Sequence, residues 1–283
     1  MCLYLFYRKM LLERTKIMLS NLHTHSVFCD GANTPEEIVL AAIEKDLCSI
    51  GFSGHAYTDF DVRYCIKDTD GYMAEINRLK EKYKNEIQIY LGVEEDAYCP
   101  ANRANFDYII GSCHYYYVDG KYYPVDSNYD YFKKCLALFE SDPIQMAHAY
   151  YKPFCEYICK RKPDIIGHFD LLTKFDELDT SLFLENEAYN KIAEDYIRYA
   201  AKSGCLFEVN TGAISRNYRT MPYPYTNLLQ VLKKEGNGLV LTSDSHCVDT
   251  LTFGFEETKK YLKDMGFSYT YVLYNHTYEK DYL

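Results

Sequence analysis

Short apolar runs alternate with amphipathic stretches along most of this chain. Residues 18–22, 48–53, 87–93, 108–112, 164–167, 205–209 and 239–242 have the length and apolarity of buried strands. Helical spacing fills the gaps. The clearest helix start is Thr34-Pro35-Glu36-Glu37, with Thr as N-cap, Pro at the first position and acids in the first turn. That helix runs through Ile38, Ala41 and Ala42 to about Lys45. Over 71–84, Met73, Ile76, Leu79 and Tyr83 recur at helical spacing. Further helices are predicted near 129–139, 144–159, 187–202 and 225–234, the last two ended by Ser203-Gly204 and by Gly236-Asn237-Gly238. A helix over 258–265 and a strand over 269–273 close the chain. The stretch that begins at His114 reads as a polar, Tyr-rich loop.

Strands alternating with helices predict a parallel sheet in an α/β fold. Seven such units suit a closed or nearly closed barrel, in which chemistry gathers at the C-terminal strand ends. No repeat, low-complexity tract or Pro/Gly/Ser linker divides the chain, so residues 18–283 read as one domain. Residues 1–17 read as an N-terminal extension. Their apolar run, Leu3-Tyr4-Leu5-Phe6-Tyr7, is too short to span a membrane and lacks the basic segment of a signal peptide. It is either an extra helix or the mark of a start placed too early, with Met10 or Met18 as the true one.

The residues just past the predicted strands carry the chemistry. Strand one ends in Asn21-Leu22-His23-Thr24-His25, with Asp30 a little beyond. Strand two gives His55, strand three Glu94, strand four His114 and strand five His168. Strand six gives Glu208 and Asn210, and strand seven gives Asp244 and His246. Of the eight histidines in the chain, six stand at strand ends, which chance placement would rarely produce. Imidazole suits zinc, iron and manganese. Six histidines with at least two carboxylates exceed one tetrahedral site, so two or three divalent transition metals are implied, with Glu94 as the bridging carboxylate. Close metals generate hydroxide at neutral pH and clamp attacking and leaving oxygens, which is hydrolytic chemistry most natural on a phosphate ester. Asp244 and His246 are also the candidate catalytic residues.

Along the extended segment 94–96, Glu95 should point away from the site and Asp96 should support it from behind. His148, within a helical pattern, and His276, near the C-terminus, read as structural or surface residues. A phosphomonoester also needs cations beside the metals. Arg216 and Arg219 after strand six, and Lys174 after strand five, are the candidates, against the ordinary alternative of solvated loop charges.

Composition narrows the partners. A formal net charge of −10 argues against unaided nucleic-acid binding and leaves a small phosphorylated substrate open. Eleven scattered cysteines without Cys-x-x-Cys suit reduced thiols in a cytoplasmic protein. Cys29, Cys113 and Cys247 adjoin candidate ligands and read as neighbours, not ligands. The 31 tyrosines, with no tryptophan, read as replacements for other large half-buried residues, one or two of them lining the pocket. Composition says nothing of oligomeric state.

Taken in order, the segments 21–31, 51–61, 91–98, 107–114, 164–175, 207–219 and 242–246 resemble the polymerase-and-histidinol-phosphatase (PHP) superfamily, and more closely its bacterial histidinol-phosphatase branch. The resemblance implies a distorted seven-stranded, TIM-like (β/α) barrel and a trinuclear site of zinc, manganese or iron. It implies hydrolysis of L-histidinol phosphate in histidine biosynthesis. It also implies one metal on His23, His25, Glu94 and Asp244, a second on Glu94, His114 and His168, and a third on His55 and His246 with Asp30. The last ligand in the superfamily can be a His one position on, where this chain has Gly31. Many members also carry Asp where this chain has Gly54. The nearest rival is a PHP phosphoesterase for nucleotides, sugar phosphates or phosphotyrosine. An amidohydrolase-type deaminase also starts with His-x-His, but its later ligand order differs. A noncatalytic metal-binding barrel is the third alternative.

Overall fold

The computed structural model describes residues 18–283, so the extension read over 1–17 lies outside the described residues. Nine strands form one sheet. In sheet order they are β1 (Ser20–Asn21), β2 (Ser49–Phe52), β3 (Gln88–Asp96), β4 (Tyr108–Ser112), β7 (Ile165–Ile166), β8 (Leu206–Asn210), β9 (Leu239–Thr242), β10 (Tyr269–Tyr274) and β11 (Thr277–Tyr282). Every pairing is parallel except β10 with β11. The sheet curls. Just beyond β1, Thr24 bridges Ser245 beyond β9, with His25 N–H donating to Ser245 O at 2.8 Å and Ser245 N–H to His23 O at 3.0 Å.

The seven predicted strands and the closing one are all present, and among the described residues the main sheet holds nine strands, the seven followed by β10 and β11. β10 adds to β9 and turns back as β11 through Asn275 and His276, both at positive φ, a tight reversal that the sequence pattern did not reveal. The Tyr-rich loop is also ordered. Residues Tyr115–Val118 (β5) and Lys121–Pro124 (β6) pair as a separate two-stranded hairpin.

The helices are α1 (Pro35–Glu44), α2 (Thr69–Lys82), α3 (Tyr129–Leu138), α4 (Pro143–Arg161), α5 (Glu187–Ala201), α6 (Thr226–Glu235) and α7 (Phe255–Asp264), besides a short turn at Gly212–Ser215. Thr34 caps α1 reciprocally with Glu37, accepting from its N–H and donating its own N–H to the Glu37 carboxylate. The apolar faces of α1 and α2 (Ile38, Val39, Ile76, Leu79) pack on Ile50 and Phe52 of β2. A larger core, with Tyr150, Tyr151 and Phe154 of α4 against Phe169 and Phe207, covers the other strands. Inside the curl, Tyr90, Tyr108, Ile110, Ile165 and Val240 form an apolar floor. Among the described residues Tyr72, Tyr90, Tyr108, Tyr116, Tyr150, Tyr151, Tyr189 and Tyr223 are fully buried, so tyrosine does serve as a bulky core residue here.

Candidate metal centre

Directly above that floor the inward side chains become polar. Period-two alternation aims Tyr90, Gly92, Glu94 and Asp96 of β3 along one face and Glu95 along the other. Glu95 points outward as expected. It is fully buried, and accepts from Tyr157 Oη at 2.6 Å and from Arg161 Nε at 2.6 Å and Nη2 at 2.9 Å. Asp96 supports His114 from behind, accepting from its backbone N–H at 2.7 Å with the ring Nδ1 at 3.3 Å.

Glu94 is the hub. One oxygen, Oε2, lies 3.2 Å from His23 Nε2, 3.6 Å from His25 Nε2 and 3.0 Å from His55 Nδ1. The other, Oε1, lies 2.9 Å from His168 Nε2 and 3.3 Å from His114 Nε2 and accepts from Ser112 Oγ at 2.6 Å. Asp244 Oδ1 completes the first group, 3.2 Å from His25 Nε2 and 3.6 Å from His23 Nε2. Asp244 holds a left-handed backbone at φ 46°, a conformation non-glycine residues avoid. Asp30 stands beside His246 Nε2 (3.3 Å), His25 Nδ1 (3.4 Å) and His55 Nε2 (3.7 Å). All nine residues read as ligands therefore fall into overlapping groups whose donor atoms lie within 4.8 Å of one another.

Those groups fit divalent cations. His23 Nε2, His25 Nε2 and Glu94 Oε2 are buried without a hydrogen-bond partner, although each faces the others. Buried polar atoms are otherwise nearly always satisfied, and a cation among them would satisfy all three at once. The charges agree. Burial opposes the His23 imidazolium, but Glu208, Glu94 and Asp244 outweigh it and hold the ring's pKa at about 10. Burial is likewise outweighed at His25, by Asp244 and Asp30, and at His114, by Glu94 and Asp96, so both titrate well above the ordinary histidine range. Glu94 and Asp244 are held far below the carboxylate range despite burial, by the surrounding histidines and, for Asp244, by Arg216 first. Positive charge is what this cluster lacks.

Two departures from the superfamily pattern have a local cause. A Cβ on Gly31 would come within 2.5 Å of the His25 carbonyl carbon and Ser26 N, so a side chain at 31 does not fit and Asp30 faces the cluster instead. A Cβ on Gly54 would meet Cys29 Sγ at 3.0 Å and Ile66 Cδ1 at 3.1 Å, so Cys29 fills the space an Asp would enter. Neither Cys29 nor Cys113 nor Cys247 joins a ligand group. His148 and His276 are both exposed.

The cluster opens into a cavity of about 510 Å³. Arg216 and Lys174 line it. Arg216 Nη2 donates to Asp244 Oδ2 at 2.9 Å, and Nη1 lies 3.1 Å from His246 Nδ1. Lys174 Nζ donates to Asp126 at its backbone O (2.8 Å) and Oδ2 (3.1 Å), a pair that overrides burial and holds Asp126 near pKa 2. Arg219, read as a third phosphate contact, does not line the cavity. It is 2% exposed, sandwiched between the Tyr223 and Tyr225 rings at 4.0 and 3.6 Å, with Asp170 3.6 Å away. It backs Tyr223, which does line the cavity. Sequence reading missed Arg63, Tyr64, Tyr115 and Asp126 on the cavity wall, because the 56–66 loop and the β5–β6 hairpin carry no periodic signal. Glu208 was legible as a strand-end residue but not as what the structure makes it, a carboxylate 2.5 Å behind His23 Nδ1.

A curled, mostly parallel sheet whose strand ends gather six histidines around shared carboxylates has the architecture of a metal-dependent hydrolase. Residues 21–212 match the PHP domain model, and the chain belongs to that family. Among its relatives, a protein of Schizosaccharomyces pombe described as "Probable histidinol-phosphatase" is 27% identical over 267 residues, covering 86% of each chain. The histidinol-phosphatase of Bacillus subtilis is 24% identical over 258 residues, 83% of this chain and 96% of its own. The fold is shared with the Lactococcus lactis histidinol phosphate phosphatase, solved with zinc, L-histidinol and phosphate. The TM-score is 0.71 at 19% identity, covering 94% of this chain and all of that one.

Proposed function

We propose that this chain is a metal-dependent phosphomonoesterase that converts L-histidinol phosphate and water to L-histidinol and phosphate, a step of histidine biosynthesis. The carrying observation is the convergence of unpartnered imidazole and carboxylate atoms with Arg216 and Lys174 on one cavity. The likeness of most of the chain to proteins named histidinol-phosphatase supports the substrate. The catalytic unit is residues 18–283, with the first seven strands of the sheet as a distorted barrel.

In this reading His23, His25, Glu94 and Asp244 hold one cation, Glu94, His114 and His168 a second, and His55, His246 and Asp30 a third. Zinc, manganese or iron there would supply Lewis acidity to the phosphoryl oxygens and acidify a water at neutral pH. Arg216 and Lys174 bind the nonbridging phosphate oxygens, orient the ester and offset its charge. Asp244 and His246 act on this step through the cations they would hold: the acidified water gives up a proton as its oxygen bonds phosphorus, and the ester oxygen takes one up from solvent as the old P–O bond breaks. Tyr64, Tyr115, Tyr218 and Tyr223 narrow the cavity around a substrate with a planar ring. Cys65, Cys113, Cys135, Cys155 and Cys205 are buried free thiols, which fits a reducing cytoplasm. No helix among the described residues is long and apolar enough to cross a membrane.

The test is phosphate release from a panel of L-histidinol phosphate, nucleotides, sugar phosphates and phosphotyrosine, after chelation and after adding back zinc or manganese. Metal-dependent turnover should be highest on L-histidinol phosphate, with more than one metal bound per chain. Higher efficiency on another panel member would reassign the substrate, and metal-independent turnover would overturn the class.

A further inference from the structure

Glu208 is a buried carboxylate that belongs neither to the ligand groups nor to the phosphate grip. It is 1% exposed, and both its oxygens are saturated. Oε1 accepts from Thr242 Oγ1 at 2.5 Å and faces His23 Nδ1 at 2.5 Å. Oε2 accepts from the His168 backbone N–H at 2.6 Å and from Asn210 Nδ2 at 3.0 Å. One side chain on β8 thus ties together the ends of β1, β7 and β9. An ionised carboxylate only accepts, so the His23 nitrogen facing it must carry the proton. Once the ring is neutral, as a metal ligand must be, its lone pair is left on Nε2, the atom 3.2 Å from Glu94 Oε2 and 3.6 Å from Asp244 Oδ1 that has no hydrogen-bond partner.

We propose that Glu208 is a positioning residue of the metal centre: one oxygen fixes His23 in the Nδ1–H tautomer that aims a free Nε2 at a cation, and the other anchors the backbone from which His168 enters. This rests on the reading that the cluster holds divalent cations. Four saturated lone-pair directions leave Glu208 no direction for a metal of its own, which separates its role from that of Glu94. The same carboxylate couples two ligands that the sequence keeps far apart, His23 and His168. A disturbance at Glu208 therefore reaches both of the groups that share Glu94.

Glu208→Gln is the informative change, because the amide keeps the shape but has one acceptor oxygen and one donor nitrogen. If the nitrogen faces His168 N–H and Asn210, donors meet donors. If it faces His23, Nδ1 must accept and the proton moves to Nε2, the atom aimed at the cation. Zinc affinity, measured by competition with a chromophoric chelator, should fall 10- to 100-fold in the folded variant. Thr242→Val removes another partner of the same oxygen without touching the tautomer and should stay within about threefold of the parent, as a loss outside the proposed link. Equal losses in the two variants would assign the effect to general packing of the strand ends and overturn the proposal. So would unchanged affinity in Glu208→Gln. A parent protein that binds no zinc would overturn both this proposal and the reading beneath it. Should Glu208→Gln fail to fold, ¹⁵N spectra of the zinc-loaded parent decide: a protonated, strongly hydrogen-bonded His23 Nδ1 is expected, and an unprotonated Nδ1 refutes the assignment.

Discussion

Two arginines three residues apart in sequence have opposite surroundings. Arg216 reaches the cavity and touches Asp244 through Oδ2, while the other oxygen, Oδ1, faces His23 and His25. Arg216→Ala should therefore retain the metals and the fold. It should lower kcat/KM on L-histidinol phosphate by about 10- to 150-fold, the range of a lost charge-assisted pair of roughly 1.5–3 kcal/mol. Arg219 is locked between two tyrosine rings against Asp170, whose carboxyl burial pushes up and Arg219 pulls back. Arg219→Ala leaves that buried acid uncompensated and should destabilise the protein by about 3–5 kcal/mol, with much of the activity per folded molecule retained. Thermal melts and steady-state kinetics on both variants check the assignment. Reversed phenotypes would move the phosphate grip to Arg219. The sequence shows both arginines on the loop after strand six, but only the fold shows that one turns under Tyr223 while the other turns over Asp244.

At the scale of the strand, alternation decides function. Glu94 and Glu95 are adjacent and chemically alike, yet β3 sends one to the cluster and the other to Arg161 and Tyr157 of α4. Glu94→Gln should lose metal and activity while staying folded, because an amide cannot share negative charge among several cations. Glu95→Gln should keep its metals and lose stability instead, by about 3–5 kcal/mol if the buried pair with Arg161 is broken outright. Metal analysis beside chemical denaturation separates the two, and equal metal loss in both would refute the alternation argument. This part of the site was legible because the period of an extended chain is fixed and the ligands end strands marked by apolar runs. Less was legible where the signal is not periodic. The β5–β6 hairpin is built from alternate faces of tyrosine, a residue that reads as polar or apolar depending on its neighbours. Its Tyr122 ring stacks on Phe60 at 3.7 Å, a contact set by tertiary packing. The final hairpin escaped because β11, Thr277–Tyr282, carries Glu279, Lys280 and Asp281. Only the fold reveals that Asp281 is buried and paired with Lys259 of α7.

Across the whole molecule, the sheet concentrates at one end the charge that the rest of the chain spreads over its surface. A metal-free centre must hold protons where cations would sit, which is why His23 titrates at about 10 and His25 and His114 well above their ordinary range. Ligating imidazoles must be neutral, so cation binding has to expel those protons, and apparent metal affinity should climb as pH rises from 6 to 9. Calorimetric zinc titrations in two buffers of different ionisation enthalpy should report net proton release at pH 7. Absence of release would mean that the histidines are already neutral, and the electrostatic account of the cluster would fail. Stability should follow loading. A cation present at about 100 times its dissociation constant stabilises the folded state by roughly 2.7 kcal/mol. For a chain of this size that corresponds to roughly 5 °C in Tm. Chelation should lower Tm by about that amount, and added zinc or manganese should restore it. The same chelation of Glu94→Gln should move Tm much less, because the carboxylate shared by the groups is gone. A Tm in the parent protein that ignores both chelator and metal would mean that no cation sits among the nine converging side chains.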